Sequence, residues 1–203
     1  MKEVYLIRHT TPAVAKGICY GQTDLDVTET FEAEARVIEG VLPGGFEGIY
    51  SSPLRRCSFL AARLFPSYAV SHHDDLMEIH CGEWEMKAWD DIPKELIDPW
   101  MKDFVNIRTP GGESYLDLHD RVTRRFSAVA GGGSAVAIVA HGGVIRSILS
   151  HITGTPLIES FKVFPLYYGC VVRIYGEPGQ WRYEMLSNIA PAEKEQHKPK
   201  SFY

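Results

Sequence analysis

Short continuous apolar runs alternate along the chain with stretches whose apolar residues recur at helical spacing. Val4-Tyr5-Leu6-Ile7 is unbroken, as a strand buried on both faces should be. Phe31, Ala35, Ile38 and Leu42 then predict a helix, capped by Thr28 and ended by Gly44-Gly45. Gly48 to Ser51 reads as a second strand. Pro53 suits the first turn of the next helix, whose apolar face is Leu54, Cys57, Leu60, Ala61 and Leu64. A further helix begins at Ser114, with Tyr115, Leu118, Val122, Phe126 and Val129 on one side, and closes at Gly131-Gly132-Gly133. Ala135 to Ala140 is the clearest buried strand. It runs through His141-Gly142-Gly143 into a helical pattern of Val144, Ile145, Ile148 and Leu149. Cys170 to Tyr175 and Trp181 to Leu186 read as a terminal strand pair around Glu177-Pro178-Gly179.

Strands alternating with helices predict an α/β protein, with a mostly parallel central sheet covered on both faces in a three-layer α/β/α sandwich. Between about residues 76 and 112 the pattern becomes irregular. That segment holds Trp84, Trp89 and Trp100 and reads as an excursion from the sheet, either a cap over a site or, by default, core packing. No repeat or linker divides the chain, so residues 1–203 are expected to form one domain, with a polar tail from about residue 191.

Composition narrows the classes of function. The 21 Lys and Arg against 26 Asp and Glu leave a net charge of −5, which disfavours nucleic acid and anionic membranes as partners. An anionic ligand would need positive charge gathered in one pocket. Cys19, Cys57, Cys81 and Cys170 form no CxxC pair, so neither a disulfide framework nor a structural zinc site is expected. No apolar run is long enough to span a bilayer, and the first is too short for a signal peptide. These features predict a soluble, cytoplasmic protein. His72-His73-Asp74-Asp75 has metal-ligand types, but neighbours on an extended chain point in opposite directions, and no metal or cofactor is expected.

Two predicted strands end in histidine, at Arg8-His9 and at His141-Gly142-Gly143. Ligands of open α/β sheets bind beyond the carboxyl ends of strands. A single histidine there is most simply a strand cap bonded to a loop carbonyl; two, one with an adjacent arginine, favour a site. The glycines after His141 allow close backbone approach, and the following helix offers free N–H groups to an anion. In Ser51-Ser52-Pro53-Leu54-Arg55-Arg56, two consecutive arginines place at least one toward the strand ends. With Arg8 this makes two guanidinium forks suited to phosphoryl oxygens.

In order along the chain, Leu6-Ile7-Arg8-His9-Thr10, Ser51-Ser52-Pro53-Leu54-Arg55-Arg56, Leu76-Met77-Glu78 with Gly82-Glu83-Trp84-Glu85, Pro110-Gly111-Gly112-Glu113-Ser114 and His141-Gly142-Gly143 resemble the motifs of the histidine phosphatase, or phosphoglycerate-mutase-like, superfamily. The resemblance implies that family's fold. It also implies phosphomonoester hydrolysis through a phosphohistidine on His9, with Glu78 as proton donor and then base. Arg8, Arg56 and His141 would balance the phosphoryl charge, joined by Thr10 and Gly142. Thr10 stands where the family usually has Gly, Ala15 where Asn is frequent, Met86 where Gly is common after Trp-Glu, and Phe31 where a helix Gly is found. Glu83 and Glu85 read as surface charge beside Trp84; Arg108, His119 and Arg121 read as surface or structural.

The run Gly17 to Leu25, with Gly21-Gln22-Thr23-Asp24-Leu25, is similar to the early loop of α-ribazole-5′-phosphate phosphatases of cobalamin synthesis. It implies that substrate, with Gln22 and Thr23 reaching the phosphate or leaving group. A chain of 203 residues suits a phosphatase better than the longer mutases. A broad-specificity phosphatase, a phosphoglycerate mutase and a non-catalytic phosphate-binding protein are the alternatives. The expected partner is a small phosphomonoester, with a homodimer open.

Overall fold

The apolar run near the N-terminus forms β1 (Lys2–Arg8) in the computed structural model, which describes residues 1–131 and 133–191. With β2 (Gly48–Ser51), β3 (Val70–His72), β4 (Ala135–Ala140), β5 (Val171–Gly176) and β6 (Arg182–Ser187) it makes one sheet in the order β3-β2-β4-β1-β5-β6. β3, β2, β4 and β1 run parallel, whereas β5 is antiparallel to both β1 and β6. The helices are α1 (Phe31–Glu39), α2 (Arg55–Leu64), α3 (Lys94–Lys102), α4 (Tyr115–Ala130), α5 (Gly142–Thr153) and α6 (Ser160–Val163).

Alternation along β1 divides the core. Val4 and Leu6 pack with Leu118 and Val122 of α4 and with Ile145 and Ile148 of α5. Tyr5 and Ile7 face the other way, onto Ala35 and Ile38 of α1 and Cys57 and Leu60 of α2. The sheet therefore lies between two helical layers, the three-layer arrangement its alternating pattern predicts. β4 enters the sheet late, between β2 and β1, so three parallel strand ends sit side by side: Arg8 pairs with Ala140, and Ser51 with Val139. His9, Ser52 and His141 follow those ends directly.

Local details differ from expectation where tertiary contacts decide. Thr30, not Thr28, precedes α1, and no side chain caps that helix; the Thr28 carbonyl accepts the Phe31 N–H instead. α1 stops at Glu39 with Gly40 after it, so Leu42 lies beyond the helix. Pro53 sits before Leu54, the residue flanking α2, and thus outside its first turn. Ser114 caps α4 in a reciprocal capping box with Asp117, and each side chain meets the other residue's backbone N–H. Trp84 and Trp100 are buried with ring centroids 5.4 Å apart, in the core layer that holds α4 and α5. Trp84 and Trp100 thus belong to the core, with the partly buried Trp89 packed against it. The polar tail beyond residue 191 lies outside the described residues. Among the described residues, no helix is long and apolar enough to cross a membrane.

Candidate active site

The backbone of His9 is fixed from both neighbouring strand ends. Its N–H donates to the Ala140 carbonyl, and its carbonyl accepts from Gly169. The ring is buried, and Nδ1 lies 2.7 Å from the Thr10 carbonyl oxygen. A carbonyl can only accept, so Nδ1 carries the proton and Nε2 presents a lone pair. The His141 ring stands 5.1 Å away, centroid to centroid. Its Nε2 is 2.8 Å from the Ser52 hydroxyl at the end of β2. Burial first, then the charge of Arg56, holds His141 well below the ordinary imidazole range, so this ring is neutral near pH 7. Burial likewise pushes the Cys57 thiol beside it up to about 12, which makes Cys57 an unreactive wall.

Arg8 and Arg56 approach from different elements. Arg8 donates to the Leu166 carbonyl at 2.7 Å and lies 4.0 Å from the centre of the Tyr168 ring. Arg56, on the first turn of α2, is fully buried. It donates to the carbonyls of Gly21 at 2.6 Å and Thr23 at 2.8 Å. Arg55 instead points outward to Asp24 and Asp26. Thr10 is buried, and among the described residues its hydroxyl has no hydrogen-bond partner.

Glu78 stands at the start of α5. One carboxyl oxygen accepts the Gly143 N–H at 2.9 Å and the other its neighbour Ile79 N–H, so this acceptor group meets the first N–H groups of that helix. A Cβ on Gly143 would fall 2.2 Å from the Glu78 oxygen, which makes glycine necessary for this approach. Arg121, from α4, holds the segment that carries Glu78. Its donors reach the carbonyls of Asp75, Met77 and Glu78 and both oxygens of Glu113, whose carboxylate also accepts from the His80 N–H.

The loop at residues 21–23 is organised by Glu85. One of its oxygens accepts from the N–H groups of Gln22 and Cys81; the other accepts from those of Gly21 and Thr23 and from the Thr23 hydroxyl. Burial alone would raise this carboxyl, but the Thr23 hydroxyl and the backbone N–H groups outweigh it and hold Glu85 below the usual range. The expected surface charge is thus an internal fastening, because three consecutive loop N–H groups need an acceptor. The Thr23 hydroxyl is committed to Glu85, while Gln22 Nε2 donates to the Glu78 carbonyl at 3.1 Å. These two side chains brace the site where sequence reasoning had them reaching for ligand. A Cβ at Gly21 would lie 1.8 Å from the Ile79 carbonyl, so the loop packs directly against the Glu78 segment.

Sequence reasoning did not single out Tyr20, Tyr168, Ser52, Glu113 or Arg121 as parts of the site. The Tyr20 and Tyr168 hydroxyls are 2.6 Å apart, and the Tyr168 ring lies against both Arg8 and His9. Ser52 and Glu113 sat inside recognised motifs, but nothing in the pattern marked Tyr168. Met86, which follows Trp84-Glu85, has a φ of 63°, the backbone geometry that favours glycine. Among the described residues, no three His, Cys, Asp or Glu side chains are grouped to hold a metal ion.

The arrangement offers a nucleophilic nitrogen, two guanidinium groups, helix N–H donors and a carboxylate around one set of strand ends. Comparison with known proteins agrees with that chemistry. The chain is 31% identical over 171 residues to the putative phosphoserine phosphatase 2 of Hydrogenobacter thermophilus, covering 80% of this chain and 84% of that protein. It is 31% identical over 166 residues to a probable phosphoglycerate mutase of Salmonella paratyphi B, covering 77% of each. Its fold matches the crystal structure of the alpha-ribazole phosphatase from Shigella flexneri, with a TM-score of 0.84 at 21% identity over 95% of this chain and 100% of that one. Residues 4–189 match the model of the histidine phosphatase superfamily (branch 1), and the chain belongs to that family.

Proposed function

We propose that this protein hydrolyses small phosphomonoesters in two steps through a phosphohistidine on His9. The observation that carries the reading is the orientation of His9: with Nδ1–H bound to the Thr10 carbonyl, Nε2 carries the lone pair that attacks phosphorus. In the first step Nε2 forms a bond to phosphorus and the ester P–O bond breaks. The departing alkoxide takes a proton from Glu78 in its protonated form. In the second, water attacks the phosphohistidine, Glu78 takes the water's proton, and Nε2 recovers its lone pair as phosphate leaves.

Arg8 and Arg56 balance the charge that would otherwise repel the nucleophile, and they do so most in the transition state. His141 is neutral beforehand, so it serves by taking up a proton from solvent as the phosphoryl dianion binds beside it. The Thr10 hydroxyl and the Gly142 N–H at the start of α5 are the neutral donors of the same pocket. Gln22 borders the leaving-group side next to Glu78; Thr23 acts on the loop. Turnover of p-nitrophenyl phosphate by the protein, and its loss in His9→Ala, tests the scheme; a folded His9→Ala variant with substantial activity sinks it.

For the substrate we propose α-ribazole 5′-phosphate, on the strength of the run Gly21-Gln22-Thr23-Asp24-Leu25, which forms the wall around Arg56. A phosphorylated amino acid is the second reading, favoured by the relative named as a phosphoserine phosphatase. A kcat/KM panel of α-ribazole 5′-phosphate, phosphoserine, 3-phosphoglycerate and simple sugar phosphates separates them. The first compound should lead by about tenfold or more, an ordinary margin for a site built to bond a leaving group. Equal rates on sugar phosphates would remove the cobalamin assignment, and phosphoserine in the lead would install the second reading.

A further inference from the structure

Arg146 is a buried cation that the two-step scheme leaves unused. It lies on α5, one helical turn beyond Gly142, and is only 5% exposed. Its Nε donates to the Phe164 carbonyl at 3.1 Å, and its guanidinium lies 4.5 Å from the centre of the Phe161 ring. Among the described residues, that carbonyl is its one hydrogen-bond partner, and no carboxylate forms an ion pair with it. Glu78, whose charge reaches Arg146, is bonded to the Ile79 and Gly143 N–H groups instead.

A second observation says where the unpaired end points. A Cβ on Gly142 would lie 3.0 Å from Arg146 Nη1 and 3.3 Å from Arg8 Nε. Two guanidinium groups on different elements therefore converge on one backbone position, at the N-terminus of α5 and next to His141. Burial pushes the Arg146 guanidinium down, and the charge of Arg8 adds to that. Two like charges held together away from water are unfavourable unless an anion joins them. Packing against Phe161 and one carbonyl would explain a long side chain there, but not a second charge beside Arg8.

We propose that Arg146 is a third guanidinium of the phosphoryl site, which with Arg8 takes up the negative charge of the bound group. The proposal rests on the reading of this pocket as a phosphoryl site and adds a residue to it. The test uses the full chain with inorganic phosphate as probe, at fixed pH and ionic strength. Calorimetry gives the phosphate Kd, and thermal unfolding without phosphate reports the fold. Arg146→Met should bind phosphate on the order of tenfold more weakly or worse, as expected for a lost hydrogen bond to a charged group. Its Tm without phosphate should be unchanged or higher, because an uncompensated charge has been removed. A purely structural arginine predicts the reverse: a lower Tm and an unchanged Kd. If Arg146→Met does not fold, Arg146→Lys carries the test, with a severalfold weaker Kd expected from the lost second donor. Wild-type phosphate affinity in a folded variant overturns the proposal. Failure of the wild-type protein itself to bind phosphate would count against the phosphoryl reading of the whole site.

Discussion

Glu85→Gln exchanges one carboxylate oxygen for an NH2 group and should disable a site that Glu85 does not itself line. Each oxygen accepts from at least two backbone N–H groups, Gln22 and Cys81 on one side, Gly21 and Thr23 on the other. Whichever way the amide turns, two N–H donors face another donor. At about 1–3 kcal/mol for each unsatisfied donor, the loop loses about 2–6 kcal/mol, enough to release a short surface segment. The carbonyls of Gly21 and Thr23 then no longer hold Arg56. Misplacing a group that stabilises the transition state costs about a hundredfold or more in kcat. The assay is kcat and KM on p-nitrophenyl phosphate, with circular dichroism and urea unfolding to show that the variant is folded. Because Glu85 acts through Arg56, its replacement should cost little in an Arg56→Ala background, a non-additivity that a double-mutant cycle measures. A folded Glu85→Gln protein within twofold of wild-type kcat/KM, or losses that simply multiply in the double mutant, refutes the reasoning. The pH dependence adds a check. The Glu85 carboxyl lies below its ordinary 4.5, so its stabilisation is fully present above that pH and is lost as pH falls through the folded value. The stability gap between wild type and Glu85→Gln should accordingly shrink below about pH 4.5.

Three further outcomes follow from the same geometry. Gly143→Ala places a methyl against the Glu78 oxygen, a movable side-chain end, so stability should stay within about 1 kcal/mol by urea unfolding, helped by the helix propensity of Ala. Its activity should nevertheless drop about a hundredfold, and retained activity would show that Glu78 has no fixed working position. Met86→Gly relieves a left-handed backbone worth about 1–2 kcal/mol and costs about 0.5–1 kcal/mol in unfolded-chain entropy. A net gain of about 0.5–1 kcal/mol should appear as a raised Tm; a lowered Tm would contradict the strain. For His141 the folded pKa lies below the ordinary 6.5, so stability is full above that pH and falls as the solution is acidified. Urea unfolding of His141→Gln at pH 7.5 and 5 should show a smaller loss than wild type, and an equal loss would argue that the ring is not held neutral.

Features legible in the sequence were those carried by local pattern. Ala135 to Ala140 formed the strand that its apolar run predicts, and Ser114 the cap of the helix that its neighbours announce. The histidine and arginine motifs lay close to the strand ends, so parallel topology alone brought His9 and His141 together. Glu85 is not marked by its own surroundings because most of its partners, the N–H groups of Gly21, Gln22 and Thr23, are backbone groups about sixty residues away, which no side-chain pattern records. Arg121 looked like one more charge on an amphipathic helix until the Asp75–Glu78 carbonyls folded onto it. Thr28 misled for the opposite reason. A good capping residue lay near a helix start, but its hydroxyl donates to the Thr11 carbonyl across the turn. In each case a contact distant in sequence overruled a sound local preference.

The central claim is a phosphoryl group carried on His9. Mixing enzyme with a phosphorus-labelled monoester, quenching in denaturing alkali during turnover and mapping the labelled peptide tests it directly. An acid-labile, alkali-stable label is expected on the N-terminal peptide that contains His9, and none in His9→Ala. Full turnover with no labelled peptide, or a label that survives in His9→Ala, would contradict it.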